Sequence, residues 1–313
     1  MSRGQYILRR LVQMIPVVLG ITIILFFMIR LIPGDPVTAV LGERATDEAY
    51  ERLRHNMGLD RPIWVQYLYY MRDLAQLELG DSLRYRVPIT TLLWDRLQVS
   101  MSLAVYTVAL TTLISLPLGI MAALKKNSLL DNIVRSALIV TMVMPSFWIG
   151  IILIIAFSIK LGLFPVSGYG NGFIENMQHL FLPSLTIALG LSPILIRALR
   201  SSILDALQAD YVKTARAKGL PEKTVLTRHV LRNALIPYVT LLGIHTSFLM
   251  GGAVIVETVF ALPGAGKLLI DGVRSRDYPV VQAATLMFAL LVITVNLTTD
   301  IIYSFLDPRV RFN

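Results

Sequence analysis

Six stretches of this chain, 11–29, 97–124, 136–159, 176–196, 233–256 and 278–299, contain no aspartate, glutamate, lysine or arginine. The charged residues gather in the connections between them. A hydrocarbon core about 30 Å thick takes roughly 20 apolar helical residues to cross, and each stretch is of that order. Their Leu, Ile, Val, Phe and Ala run without the alternation of a barrel strand. The pattern predicts an all-α membrane protein with six transmembrane helices. The first stretch is too long for a signal-peptide core and lacks a clear small-residue cleavage site, so it reads as a retained anchor.

Between the first two spans lies the one sizeable polar segment. Thr46, Asp47 and Glu48 read as a helix start, with acids in the first turn, and Gly58 as its end. Pro62 suits the first position of a second helix, where Ile63, Tyr67, Tyr70 and Leu74 repeat at helical spacing. This predicts a small helical segment after the first span. Its Trp64, Tyr67, Tyr69 and Tyr70 fit an interfacial aromatic belt better than a partner contact. Pro16, Pro117, Pro145 and Pro193 interrupt spans, where each removes a backbone donor that neighbours or water must replace.

Composition agrees with the pattern: 55% of residues are hydrophobic and 16% charged, which is the membrane class. There is no cysteine, hence no disulfide framework and no thiolate metal site. The net charge of +9 is explained by position. With both termini inside, the cytoplasmic side collects Arg3, Arg9, Arg10, Lys125, Lys126, Arg135, Arg309 and Arg311, and eight more basic residues from Arg197 to Arg232. Basic residues assigned outside lie mostly in the long segment, which hardly influences orientation. No basic patch with interleaved aromatics is left for nucleic acid. The expected organisation is a cytoplasmic N-terminus (1–10), a first span (11–31), an extracytoplasmic helical segment (32–96), a core of five helices (97–306) with a cytoplasmic loop at 197–235, and a cytoplasmic C-terminus (307–313).

The Gly-Ala-Gly-Lys of Gly264–Lys267 invites comparison with a phosphate-binding loop. That pattern needs a glycine where Ala261 stands and a hydroxyl where Leu268 stands. The segment also falls on the predicted outer face, away from ATP, so the glycines read as a turn at the membrane surface. In the fifth span Gly243, Ser247 and Gly251 recur every four residues, a face that lets another helix approach. Both intrachain packing and a subunit-interface or pathway role fit it. His245 reads as hydrogen-bonded within the bundle. Asp300, placed in the inner part of the sixth span, must face the bundle and a partner, as a structural pair before a relay. Neither a nucleophile–base pair nor a metal cluster is present, so no catalytic and no metal-binding residue is assigned.

The most informative stretch is "DYVKTARAKGLPEKTVLTRHVLRNALIP", Asp210 to Pro237. It predicts a helix to about Lys218, a stop at Gly219, and a second helix opened by Pro221 with Glu222 in its first turn. Small residues Thr214, Ala215, Ala217 and Gly219 form a bare corner among basic residues. The residues themselves leave two readings open: an elbow that enters a groove on another protein, or an amphipathic hairpin held to anionic lipid.

The stretch resembles the Glu-Ala-Ala-x-x-x-Gly loop of permease subunits of binding-protein-dependent ABC importers. Gly219 fills the glycine position, Lys213-Thr214-Ala215 stands where Glu-Ala-Ala is usual, and Leu231-Arg232 replaces the downstream Leu-Pro. "RLIPGDP" (Arg30–Pro36), "GLDRP" (Gly58–Pro62), "PGAGKLL" (Pro263–Leu269), "RDYPVVQ" (Arg276–Gln282) and "DPRVR" (Asp307–Arg311) are similar to the first permease of dipeptide, oligopeptide and nickel importers. The resemblance runs in order along nearly the whole chain. It implies a type I ABC importer permease fold in the bacterial inner membrane, a second homologous permease, two ATPase subunits that hold ATP and Mg, and a solute-binding protein on the outer face. It also implies that the loop docks on an ATPase through Asp210, Lys213, Thr214, Ala215, Ala217, Gly219, Leu220 and Pro221. No cofactor is expected in this chain. Peptides are the leading cargo, and His245 with nearby Met250 lends slight support to nickel. A self-sufficient secondary transporter would show inverted repeats and midplane charges, which are not evident.

Overall fold

The computed structural model describes residues 3–31, 36–41, 46–56 and 58–306, and these are helical throughout apart from turns and one isolated antiparallel bridge between Asp81 and Pro88. Helix α1 (Arg3–Leu31) is followed by three short helices, α2 (Pro36–Leu41), α3 (Asp47–Asn56) and α4 (Ile63–Ala75). Two long helices, α5 (Ile89–Leu124) and α8 (Phe173–Gln208), have 36 residues each, or about 54 Å at 1.5 Å per residue. They form the most extensive helix pair of the bundle. Between them lie α6 (Leu129–Val143) and α7 (Ser146–Leu153), the latter continued by a π-helical turn, Ile154–Lys160. The chain then runs through α9 (Asp210–Ala217), α10 (Glu222–Thr224), a second π-helical turn (Val225–Leu231), α11 (Arg232–Val259), α12 (Ala265–Ser275) and α13 (Tyr278–Leu306).

Each predicted span falls on helix, but not each is one straight rod. Ile89–Leu124, Phe173–Gln208 and Tyr278–Thr299 are long and apolar enough to cross a membrane alone. Leu129–Val143 with Ser146–Lys160, and Glu222–Leu249 with Gly251–Val259, qualify only as bent pairs, and Val12–Phe27 is a shorter apolar stretch. The expected third span, 136–159, is not one straight helix: it turns by 110° between α6 and α7. Its cause is Pro145. The ring clashes with a preceding residue in the α conformation, and Met144 is extended at φ −74°, ψ 129°. Pro117, Pro193 and Pro16 stay inside continuous helices, so proline alone does not decide.

The segment after α1 takes its predicted form. Thr46 Oγ1 accepts the Ala49 N–H at 3.3 Å, with Asp47 and Glu48 in the first turn of α3. Pro62 caps α4 rather than opening it, one residue from expectation. The aromatic belt divides in two. Tyr67 and Tyr70 pack on Phe26 of α1, with ring centroids 5.2 and 5.9 Å away, and the Tyr67 hydroxyl meets Thr22 Oγ1 at 3.0 Å. These contacts dock α4 on α1. Trp64 remains exposed, and Tyr69 lies beneath the guanidinium groups of Arg61 and Arg72.

The buried apolar residues form two main groups, one toward each end of the bundle. The first, around Leu103, Leu180, Leu182, Phe260 and Leu262, joins α5, α7, α8 and the end of α11. The second, around Leu199, Ile203, Val212, Val225 and Val230, joins α8 to the elbow made by α9, α10 and the second π-helical turn.

Candidate functional site

The elbow is built by local rules. Ala209 is extended, at φ −68° and ψ 146°, and ends α8. Helix α9 starts one residue later, with Asp210 favourably placed at its positive end. Lys213 Nζ pairs with Asp210 at 2.8 Å, and Thr214 Oγ1 donates to the Asp210 carbonyl at 2.9 Å. At the other end the Gly219 N–H bonds the Arg216 carbonyl at 2.9 Å, and the Leu220 N–H bonds the Ala215 carbonyl at 3.3 Å. This is a Schellman ending, which requires a left-handed residue just past the helix. Gly219 supplies it at φ +75°, where a Cβ is strained.

Pro221 then caps α10. The elbow is fastened across its mouth by Arg216, whose Nε and a terminal nitrogen donate to the two Glu222 oxygens at 3.1 and 2.6 Å. That bond pushes the guanidinium pKa above its already high ordinary value. Both partners are exposed, so the pair shapes the surface more than it stabilises the fold.

Seven of the eight expected docking residues form one open surface: Asp210, Lys213, Thr214, Ala217, Gly219, Leu220 and Pro221 are exposed. Ala215 is not among them. With Val212 it is buried against Leu199, Ile203, Val225 and Val230, because α9 is amphipathic and these two positions are one helical turn apart. Ala215 thus seats α9 on the bundle rather than facing outward.

The remaining candidates separate. Gly243 lies where a Cβ would collide with Thr299 of α13, and Ser247 Oγ meets Asn296 Oδ1 at 2.6 Å. Two positions of the small-residue face therefore pack α11 on α13. Gly251 is exposed, with open space where a Cβ would stand. The side chains of Asp300 and Met250 lie outside the described residues. Among the described residues no three His, Cys, Asp or Glu come together as a metal-binding set.

Among the described residues Asp131, Glu257 and Asp277 are buried carboxylates, a role the sequence did not assign to any of them. Asp131, in the first turn of α6, is fully buried. Arg200 of α8 grips it with two bonds of 2.8 Å, the Asn127 N–H adds one of 2.9 Å, and Arg135 lies 3.8 Å away. Glu257, two turns of chain before the Gly-Ala-Gly-Lys stretch, is also fully buried. Its Oε1 accepts the Ser100 hydroxyl of α5 at 2.5 Å, and its Oε2 accepts the Lys267 N–H at 3.0 Å. The loop that resembled a phosphate cradle is thus wrapped around a side chain of this protein. That corrects the reading of its glycines as a mere turn.

Comparison with known proteins places the whole architecture. Residues 115–312 match the model of the family described as "Binding-protein-dependent transport system inner membrane component". Residues 3–104 match the model for the N-terminal part of such membrane components. This chain belongs to that family. As an inner membrane component of this kind, it is similar over 98% of its length to the dipeptide transport system permease protein DppB of Alkalihalophilus pseudofirmus, with 37% identity over 99% of that protein. The DppB dipeptide permease of Escherichia coli is 37% identical over 98% of each chain. The di/tripeptide permease DppB of Pseudomonas aeruginosa is 40% identical over 98% of each. Among solved structures, an inward-facing MetNI methionine ABC transporter chain superimposes with a TM-score of 0.57 at 16% identity, covering 70% of this component and 97% of that chain. An amino acid ABC transporter chain gives 0.52 at 16% identity, over 69% and 94%. The fold of this membrane component is that of ABC importer permeases.

Proposed function

We propose that this chain is one permease half of an ATP-driven importer of short peptides. The observation that supports this best is its similarity, from end to end, to dipeptide and di/tripeptide permeases. Nickel is the less favoured cargo, because the relatives named are peptide permeases. Both termini and the elbow lie in the cytoplasm in this reading, as the lysine and arginine bias of the short loops argues, and the α2–α4 segment lies outside. A second, homologous permease completes the pathway. Two ABC ATPases bind below and hold ATP and Mg, and a solute-binding protein delivers peptide from above. The chain itself is non-catalytic.

The elbow is the receiving part. Closure of the ATPases on ATP presses on its exposed face at Asp210, Lys213, Thr214, Ala217 and Leu220. Val212 and Ala215, seated in the second apolar group, pass that displacement to α8 and α11. Close-packed interiors move as rigid bodies between discrete arrangements rather than deforming gradually. Differential contact of the ATPases with the two arrangements then shifts the population toward an outward-open pathway, and hydrolysis returns it.

Gly219→Glu tests the reading. A side chain at a left-handed position costs about 1–2 kcal/mol, and the added charge stands on the docking face. The helical fold should survive, while copurification of the ATPases and uptake of a dipeptide into proteoliposomes are lost. ATPases retained at wild-type stoichiometry, with normal uptake, would remove the elbow from the mechanism.

A further inference from the structure

We propose that Glu257 is a positioning residue for transport, locking α12 to the far end of α11, the bent helix whose near end is the elbow. This rests on the function proposed above.

The geometry of the lock is specific. The Ala265 N–H donates to Ser100 Oγ at 2.9 Å, so the Ser100 hydroxyl proton is free to go to Glu257 at 2.5 Å. The Lys267 N–H reaches the second carboxyl oxygen at 3.0 Å. Two of the first three N–H groups of α12, orphaned by helix geometry, therefore end on one carboxyl group, that of Lys267 directly and that of Ala265 through Ser100. Both of its oxygens serve as acceptors. A carboxylate offers this, whereas an amide would turn an NH₂ group toward a donor.

The glycines follow from the lock. A Cβ on Gly264 would fall on the Glu257 carboxyl group, and one on Gly266 would stand 2.8 Å from Val254 Cα and 2.9 Å from Glu257 Oε2. Residues 264–267 thus form a nest already occupied by the carboxyl group of Glu257 in the same chain.

What makes this more than packing is where the two ends lead. From Glu222 to Val259 the chain stays helical, through α10, the π-helical turn and α11, with a 57° bend between Leu249 and Gly251, so one continuous but bent helix joins the elbow to Glu257. Beyond the nest, α12 ends at Arg276, with φ +56°. The next residue, Asp277, is buried and accepts the Ser82 hydroxyl at 2.5 Å and the Arg84 N–H at 3.1 Å. An apolar joint would hold α12 by contact area and allow sliding. Donors converging on one carboxyl group fix its angle. Displacement of the elbow is thereby delivered through Glu257 to α12, and through Asp277 to the turn that precedes α5.

The experiment uses the complete importer in proteoliposomes: both permeases, the ATPases and the binding protein. Peptide imported per ATP hydrolysed is compared for wild type, Glu257→Gln and Ser100→Ala. Spin labels at Thr258 and Arg274, both exposed, report the α11–α12 distance with and without trapped ATP. The expected result is a narrow wild-type distance in both states. In Glu257→Gln that distance broadens, and import per ATP falls at least tenfold, with Ser100→Ala between the two. Should Glu257→Gln fail to assemble, Ser100→Ala alone decides, by the same ratio and the same distance. Wild-type import per ATP in the assembled variant, or a wild-type distance that is already broad, overturns the inference while peptide uptake by the wild type leaves the proposed function standing. Absence of uptake by the wild type itself would instead remove the function.

Discussion

Asp131 and Glu257 are both fully buried carboxylates, yet they are stabilised by opposite means. Asp131 is answered by charge: Arg200 meets it with two bonds, and Arg135 stands nearby. Glu257 is answered by dipoles: a hydroxyl and a backbone N–H group at a helix start. A charge pair fixes two side chains and tolerates some movement of the helices that carry them, since long side chains can follow. A backbone nest fixes a helix itself, because its donors cannot move without moving α12. Near the elbow the protein uses the first device, and at the opposite end of α11 it uses the second.

Breaking the charge pair should have the largest effect. Arg200→Leu leaves Asp131 buried with the Asn127 N–H and, as its one nearby cation, the more distant Arg135, and stranding one member of a buried pair costs about 3–5 kcal/mol. Thermal unfolding in detergent should show a markedly lowered midpoint. The double variant Asp131→Leu with Arg200→Leu should recover much of the loss, since two apolar residues can replace a buried pair at little cost. A double variant no better than Arg200→Leu would contradict this account.

Filling the nest comes next. Gly264 has an ordinary φ of −93°, so Gly264→Ala strains no backbone. Its whole effect arises from the methyl group meeting Glu257, an overpacking cost of roughly 1–3 kcal/mol. Combining it with Glu257→Ala, which opens the space, should give less than the sum of the single effects. Strict additivity would mean the two groups do not touch. The smallest effect is expected of Lys267→Ala. Only the backbone N–H of Lys267 serves the nest, so the unfolding midpoint should move by no more than a change of about 0.5 kcal/mol would cause. Nucleotide binding by the assembled importer should be unaltered, and loss of ATP binding there would restore the phosphate-loop reading.

The comparison also marks what the sequence can disclose. The six apolar intervals were legible because a bilayer imposes one length and one composition on whatever crosses it. The elbow was legible because a Schellman ending needs glycine at a fixed offset, and Gly219 followed by Pro221 announces it. Glu257 was not, for it stands directly after a charge-free interval and reads as the charge that ends a span. Its partner Ser100 is 157 residues away. Asp131 and Arg200 are separated by 69 residues. Pairings at such distances leave no periodicity. Pro145 breaks its helix while Pro117 and Pro193 do not, which depends on the packing around each one. Ala215 could not be told from Ala217 by type, and only the turn of α9 puts one inward and the other out.

The clasp between Asp277 and Ser82 has a consequence for building chimaeras of this protein with its relatives. Ser82 belongs to the segment before α5, while Asp277 lies at the start of α13, 195 residues later. A graft cut only at the ends of the early segment would import a turn with no acceptor waiting for it and leave a desolvated carboxylate behind. The smallest module that can be exchanged whole is therefore discontinuous: the residues leading into α5, together with the α12–α13 corner.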